Sequence, residues 1–223
     1  MHLSSHQSVF LPWAGFWHKA HSSDVMVINS GSDFCRQDYE HRVKINDAWL
    51  TLEIDRAASG KSIGETHLKQ GTVKKAADRI ERELYLRKNP FKERLGGILG
   101  LMRNYDEPTL KHLNELLILE LSVQLLIPTT FLFIHEVPAG ETKTEKLGNR
   151  VHRYMREDDI YICGSGASDY LDFGAFGYPV QMQTTNAKNI DTNSILSLMV
   201  KQEDPMTTVN GWFTNTNVIP QEK

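Results

Sequence analysis

A loop with two glycines has the clearest chemical logic in the sequence. Gly164-Ser165-Gly166-Ala167 follows a short apolar run, and a helix is expected to begin just after it. Glycines let a backbone approach a ligand closely, and free N–H groups at a helix start can hold a phosphate or a carboxylate. The pattern is neither GxGxxG nor a Walker loop, so an ordinary strand-to-helix turn is the alternative.

Histidines are frequent near the N-terminus, at positions 2, 6, 18 and 21. His6 stands where the first strand should end, and there it could contact a phosphate or act as an acid or base. His18 and His21 share a helical face, but a metal site needs three or four ligands and no further ligand is fixed beside them. We therefore predict no metal site.

Two arginines flank a carboxylate in the segment after the second apolar run. Arg36 and Arg42 are six positions apart, with Asp38 between them. Guanidinium groups bind anionic groups in a bidentate way, so this segment is a candidate anion site. A surface cluster of ion pairs is the alternative.

Two further features favour structural explanations. Cys163 could be a nucleophile at the mouth of the glycine loop, but a cysteine at a strand end is more often a small buried residue. Residues 69–94 are rich in Lys and Arg interleaved with Glu, which is typical of a solvated helix face rather than of a nucleic-acid surface.

The composition predicts a folded, single-domain protein over residues 1–223. The chain is 40% hydrophobic and 24% charged, and its net charge of −3 argues against binding to nucleic acid or membranes by bulk charge. Two distant cysteines and the lack of a basic-then-apolar N-terminus favour a cytoplasmic protein. The most apolar stretch, 116–134, contains Glu120, Gln124 and Pro128, so we expect no membrane span.

Apolar periodicity in the first 54 residues predicts a strand, a short helix and a second strand. The helix is expected over Leu11–Ala20, with Pro12 in its first turn and positions 13, 16, 17 and 20 on one face. Asp24–Ile28 reads as a buried strand, and Trp49–Ile54 alternates as a further strand.

The middle of the chain is expected to be helical. Residues 73–88 form one helix, and a second runs from about Thr109 to Leu126, capped by the Asp106-Glu107-Pro108 segment and stopped by Pro128. A buried strand then follows at Phe131–Ile134. This order predicts an α/β fold with a mostly parallel sheet flanked by helices, and a helical segment, about 70–127, inserted between strands.

The last third alternates between short strands and helices. Residues 138–158 read as an exposed charged connection with room for a short helix. Strands are expected at Ile160–Cys163 and Val180–Gln183. Ser168 is expected to cap a helix that starts at Asp169–Leu171, and a last helix is expected over Asn193–Lys201.

The N-terminal string resembles the opening signature of the WbqC-like protein family. The string His6-Gln7-Ser8-Val9-Phe10-Leu11-Pro12-Trp13-Ala14-Gly15-Phe16-Trp17-His18-Lys19 contains a His-Gln pair, Leu-Pro-Trp, a glycine, an aromatic residue and a lysine. The resemblance continues through Asp24–Ile28, the segment with Arg36, Asp38 and Arg42, and Trp49-Leu50-Thr51. It returns at Gly164–Asp172, at Val180–Gln183 and at Ser194–Leu198.

Two features depart from the family pattern. Members usually have Pro after the His-Gln pair, where this chain has Ser8. They usually carry two acidic residues after the second strand, where this chain has Ser30 and Gly31. If that acidic pair binds a metal or a substrate amine in the family, we expect the role to be lost or relocated in this chain.

The resemblance implies a role in O-antigen or surface-polysaccharide biosynthesis, with transfer of an amino acid such as glycine, or a related acyl group, to a sugar. It implies acid–base roles for His6 and Asp38, and a nucleotide-sugar diphosphate held by Arg36 and Arg42. The residues expected to bind substrate are Gln7, Trp13, Lys19, Arg36, Arg42, Gly164, Ser165, Gly166 and Tyr170. The expected partner is a small molecule or nucleotide sugar, and the sequence specifies neither a cofactor nor an oligomeric state.

Two other functions remain open from sequence. One is a nucleotide-dependent enzyme that activates an acid or modifies a nucleobase. The other is a non-catalytic partner protein of a polysaccharide assembly. An exposed apolar patch formed by Phe10, Trp13 and Trp17 would favour the partner protein.

Overall fold

The computed structural model describes residues 1–57, 59–85, 88–137, 139–188 and 190–220. The strands are β1 (His2–Gln7), β2 (Val25–Asn29), β3 (Arg42–Ile45), β4 (Ala48–Thr51), β5 (Thr130–Ile134), β6 (Ile160–Cys163), β7 (Val180–Thr185) and β8 (Phe213–Asn215). The helices are α1 (Ala14–His21), α2 (Thr72–Tyr85), α3 (Gly96–Arg103), α4 (Leu110–Gln124), α5 (Lys143–Val151), α6 (Phe173–Phe176), α7 (Leu196–Met199) and α8 (Pro205–Trp212).

Six of these strands form one sheet in the order β5-β2-β1-β6-β7-β8. All neighbouring pairs from β5 to β7 are parallel, and only β8 runs antiparallel to its neighbour β7. Strands β3 and β4 form a separate antiparallel hairpin. The predicted α/β fold with a mostly parallel sheet flanked by helices is therefore confirmed.

The connections leave the centre of the sheet in opposite directions. From β1 the chain builds outward through β2 to β5, and it then crosses back to β6 and builds outward through β7 on the other side. Strands β1 and β6 are neighbours, so their carboxyl ends mark a topological switch point. In open parallel sheets, ligands bind in the crevice beside such a point.

Both faces of the sheet are covered. In β2, Met26 and Ile28 belong to the core beneath α1–α4, α7 and α8, whereas Val27 belongs to the core beneath α5 and α6. Burial on both faces explains why this strand is a continuous apolar run rather than an alternating one. No helix in the described part of the chain is long and apolar enough to cross a membrane.

Helix α1 begins three residues later than its pattern predicted. Leu11 is buried with a φ of 46°, so the chain turns sharply there before Trp13 caps the helix in an extended conformation. Pro12 therefore lies outside the first turn. The predicted apolar face is only part of what is buried: Phe16, Trp17 and Ala20 are buried, but so are the other residues from Ala14 to Ala20, and Trp13 lies before the helix and is half-buried.

The predicted cap of α4 is wrong. The helix begins at Leu110 after Thr109, and neither Asp106 nor Pro108 lies in its first turn. Instead, the Pro108 carbonyl accepts from the Leu68 N–H at 2.7 Å and the Leu110 N–H donates to Thr66 O at 3.0 Å. These two bonds hold the segment extended up to the helix start.

Two predicted elements in the second half differ from the structure. The helix expected at Asp169–Leu171 is wrong: Ser165–Asp169 form a 3-10 helix, and α6 begins only at Phe173, where the Asp172 side chain accepts from the Ala175 N–H. The connection over 138–158 does contain a short helix, α5, but it is not wholly exposed, because Leu147 and Val151 are buried against the sheet.

Other boundaries changed less, and some elements were not predicted. The expected strand Trp49–Ile54 ends at Thr51 and lies in the hairpin, with Ile54 bridging only to Leu68. The helix expected over Asn193–Lys201 is present as the shorter helix α7. Helices α3 and α8 and strands β3 and β8 had no counterpart in the sequence prediction.

The turn after β2 has no room for a side chain at Gly31. An ideal Cβ there would overlap the backbone carbonyl of Glu136, which follows β5. Gly31→Ala should therefore lower the free energy of unfolding by about 1–3 kcal/mol, because the backbone after β5 must move. Urea unfolding followed by circular dichroism measures the change.

Gly100→Ala is the matched control. Gly100 lies within α3, and nothing lies within 4 Å of an added Cβ. Alanine in a helix interior should raise stability by about 0.5–1 kcal/mol. Equal effects of the two substitutions would contradict the steric explanation at Gly31.

Candidate functional site

A cleft of about 550 Å³ opens at the switch point, between the carboxyl ends of β1 and β6. Side chains from the end of β1, from α1, from α5 and from the glycine loop line it. The residues are Ser5, His6, Gln7, Lys19, Ser32, Lys143, Lys146, Leu147, Arg150, Tyr161, Gly164, Gly166, Ala167 and Tyr170. This volume suits a small-molecule ligand.

The charge of the cleft is of one sign. Four cationic side chains line it, Lys19, Lys143, Lys146 and Arg150, and no carboxylate is among the lining residues. Lys143 lies at the mouth, where its Nζ is 5.3 Å from the centre of the Tyr170 ring. Such a surface attracts and holds an anionic ligand.

Lys19 is the most deeply buried of these cations, with 7% of its surface exposed. Its Nζ donates to the Ser5 carbonyl oxygen at 2.9 Å, and it forms no ion pair within the described part of the chain. Burial lowers the pKa of Lys19 to about 8. A buried ammonium group without a carboxylate is costly in the free protein, and a bound anion would offset that cost.

Arg150 is the second deep cation. Its Nε is buried without a hydrogen-bond partner, and one terminal nitrogen lies 3.5 Å from Ser32 Oγ. Burial lowers the pKa of this guanidinium as well. Because a guanidinium presents several donors in a fixed plane, Arg150 retains donors for a phosphate or carboxylate in the cleft.

His6 stands at the end of β1, as predicted. Its Nδ1 lies 2.9 Å from the Gln7 carbonyl oxygen, which can only accept, so Nδ1 carries the proton and Nε2 is left as an acceptor. Burial, with Lys19 close by, lowers the pKa of His6 to about 3. The imidazole is therefore neutral at physiological pH in the free protein.

The glycine loop borders the cleft through Gly164 and Gly166. Nothing lies within 4 Å of a Cβ placed at either glycine, so these residues face open space rather than a packed neighbour. The side chain of Cys163, just before the loop, is buried beside Gln181 O, and burial raises the pKa of its thiol to about 11. A neutral thiol is a poor nucleophile.

Two smaller cavities, each about 200 Å³, share His6 with the cleft. One lies toward β7 and β8 and is lined by Trp13, Ser165 and Gln183, among others. The second, which we term the aromatic cavity, is lined by His6, Gln7, Val9, Phe10, Leu11, Pro12, Trp13, Phe16, Asp38 and Tyr39.

Most of the residues predicted from sequence therefore gather around His6. The cleft contains Gln7, Lys19, Gly164, Gly166 and Tyr170, and the adjoining cavities contain Trp13, Ser165 and Asp38. Their roles in binding or catalysis stay predictions.

The structure does not bring Arg36 and Arg42 into this group. Arg36 lines a separate cleft with His41 and Lys69. The Arg42 guanidinium lies 4.2 Å from the centre of the Trp49 ring and donates to the Gln37 carbonyl. In the cleft at the switch point, Arg150 provides the guanidinium group instead.

Sequence reasoning missed the three cations of α5. Lys143, Lys146 and Arg150 are spaced i, i+3, i+7, which places them on one helical face. Thr142 and Glu145 form a capping box at the start of the helix, a signal that could have located it.

Ser8 and Ser30, which depart from the family pattern, fit their surroundings. Ser8 is fully buried, its N–H donates to Asn29 O at 3.0 Å, and its Oγ accepts from Asn114 at 3.2 Å. Ser30 Oγ is hydrogen-bonded to His135 Nδ1, and His135 Nε2 lies 3.6 Å from Glu115. Acidic groups at this edge of the sheet thus come from other elements.

The fold and the site define a class of protein: a mostly parallel α/β protein with a cationic cleft at its switch point. The model of the WbqC-like protein family matches residues 7–189, so the chain belongs to this family. The match includes every cleft-lining residue except Ser5 and His6. No curated protein and no solved structure matches the chain.

The buried Lys19 should reduce stability in the free protein. Lys19→Met removes a desolvated charge, so we expect the free energy of unfolding at pH 7 to rise by about 1–2 kcal/mol. Because the pKa of Lys19 is about 8 when folded and 10.5 when unfolded, the unfolded state binds more protons between these values. The penalty in the wild type, and with it the gain from the substitution, should shrink as pH rises from 8 to 10.5.

Urea unfolding at several pH values measures this difference. The control is Lys146→Met, which removes an exposed cation from the same cleft and should change stability by less than about 0.5 kcal/mol. A Lys19→Met protein that is less stable than the wild type at pH 7 would show that the ammonium group is satisfied in the fold.

Proposed function

We propose that the chain is a transferase that adds an amino acid such as glycine, or a related acyl group, to a sugar in surface-polysaccharide biosynthesis. The proposed acceptor sugar is linked to a nucleoside diphosphate. One observation carries this proposal: the buried Lys19 and the half-buried Arg150 face a cleft without carboxylates at the switch point. Family membership gives the proposal its context.

The cleft has the chemistry that a sugar diphosphate requires. Arg150 and Lys19 at its base would bind the diphosphate oxygens, while Lys143 and Lys146 add positive charge at the rim. The Tyr170 ring, 44% exposed beside Lys143, offers a flat surface to a base or sugar.

The transfer step would take place beside His6. The sugar amine attacks the carbonyl carbon of an activated acyl group, a new C–N bond forms, and the bond from that carbon to the leaving group breaks. The proton lost by the amine passes to His6 Nε2 and then to the leaving group. A bound diphosphate would offset the positive charges near His6 and raise its pKa from about 3, which makes it a better proton acceptor.

A nucleotide-dependent activating enzyme is the second candidate. The same cations would hold a nucleoside triphosphate, because their chemistry selects phosphate rather than a particular sugar. The partner-protein hypothesis has lost its main support, because Phe10 and Trp17 are fully buried and form no exposed patch with Trp13.

Binding of UDP-glucosamine tests the proposed ligand. We expect isothermal titration to give a dissociation constant that rises tenfold or more in Arg150→Ala, since a charged hydrogen bond contributes about 1.5–3 kcal/mol. Arg82→Ala, which removes the same charge from an exposed position on α2, should bind as the wild type does. Binding of ATP but not of UDP-glucosamine would favour the activating enzyme. Equal affinity of the wild type, Arg150→Ala and Arg82→Ala for UDP-glucosamine would show that the ligand does not bind in this cleft.

Turnover tests the role of His6. With UDP-glucosamine and a glycyl thioester as activated donor, mass spectrometry should detect the glycyl amide of the sugar. His6→Ala should slow its formation by about 10²–10⁴-fold, while changing UDP-glucosamine affinity much less. The control His21→Ala alters an exposed histidine at the end of α1. Full activity of His6→Ala would remove His6 from the mechanism.

A further inference from the structure

The aromatic cavity and the cationic cleft meet at His6 and Gln7 but have opposite electrostatic character. The cleft contains four cations, whereas the single charged side chain that lines the aromatic cavity is the carboxylate of Asp38. Two adjoining sites of opposite charge would each select a different chemical group.

A second carboxyl group lies behind the wall of the aromatic cavity. Gln7 Nε2 donates to Glu40 Oε1 at 3.1 Å, and Glu40 is fully buried with Oε2 lacking a hydrogen-bond partner. This bond fixes the orientation of the Gln7 amide. Its amino group is directed to Glu40, so its carbonyl oxygen is left to accept a hydrogen bond from a ligand that carries N–H groups.

Aromatic side chains form much of the remaining wall. Phe10, Trp13, Phe16 and Tyr39 all line the cavity. Aromatic rings attract a cation placed over their faces, and a carboxylate beside them adds to that attraction. An anion would be repelled by Asp38 and has the neighbouring cleft available instead.

The backbone on this side of the cavity is fixed in place. Leu11 adopts a φ of 46°, which a non-glycine residue adopts only when its surroundings impose it. The next carbonyl, of Pro12, accepts from Trp17 Nε1 at 3.2 Å and from the Ile195 N–H at 3.1 Å. The cavity is therefore a preformed feature of the fold.

We propose that the aromatic cavity binds a primary ammonium group, with Asp38 as its counter-ion and the Gln7 carbonyl as a hydrogen-bond acceptor. The inference rests on the proposed transfer in one respect: the ammonium would be the α-amino group of the aminoacyl donor. Its carbonyl carbon would then lie toward His6, and the anionic sugar substrate would occupy the cleft. The proposed ligand class is thus a small amino acid whose carboxyl group is activated.

Glycinamide is the probe, because it has the ammonium group of a glycyl donor and no carboxylate. We expect ligand-observed NMR to show binding of glycinamide and not of N-acetylglycinamide, in which the ammonium group is absent. Asp38→Asn should raise the dissociation constant for glycinamide about tenfold. Asp158→Asn, the same change at an exposed turn before the amino end of β6, is the matched control and should leave it unchanged.

Arg150→Ala separates this inference from the proposed function. It should weaken UDP-glucosamine binding while glycinamide binding stays within about twofold of the wild type. Glycinamide binding without UDP-glucosamine binding would leave the ammonium site standing and reject the nucleotide-sugar substrate. Equal binding of glycinamide and N-acetylglycinamide, or equal affinity of Asp38→Asn and the wild type, would overturn the ammonium site.

Discussion

The parallel pairing of β1 with β6 is the constraint on which the site depends. The two strands are distant in sequence. Strands β2 and β5 and the helices α1–α5 lie between β1 and β6 along the chain. Helix α1 leaves β1 on one face, and α5 leads into β6 on the other. A crevice therefore opens where the strands end, and residues as far apart as Lys19 and Arg150 line it together.

Burial gives the cleft its electrostatic character. Lys19 is held by a single hydrogen bond to the Ser5 carbonyl, and Arg150 retains an unpartnered buried nitrogen. None of the residues that line the cleft is acidic, and two acidic residues near this edge of the sheet are engaged elsewhere: Glu136 pairs with Arg153, and Glu115 lies beside His135. The free protein thus carries an electrostatic cost that an anionic ligand would offset, a trade of stability for binding.

Local signals were sufficient for much of the fold and for part of the site. Three of these signals are short local patterns: the apolar run of β2, the aromatic residues of α1 and the glycines after β6. Each spans only a few consecutive residues, so the sequence alone could locate it. The position of Arg42 could not be predicted in this way. Its direction depends on how the β3–β4 hairpin twists, and the ring of Trp49 across that hairpin holds it away from the cleft.

The contribution of α5 was missed for a related reason. In the sequence, its cations resemble those of a solvated helix surface. In the structure, Leu147 and Val151 pack against the sheet, and the cations of α5 are thereby directed to the cleft. The C-terminal elements had a readable signal, because Asp204 caps α8 and Pro205 occupies its first turn. The pairing of β8 with β7 is a tertiary contact that a single sequence does not encode locally.

The different exposure of the four cations implies that different residues control the association and the dissociation of a ligand. Lys143 and Lys146 are exposed at the rim, where their field extends into solvent and should speed the encounter with an anion in a manner that salt suppresses. Lys19 and Arg150 are less exposed than the two rim lysines, so salt should screen their bonds to a ligand less. They should govern how long the ligand stays, so that arrival and residence are set by different residues of one cleft.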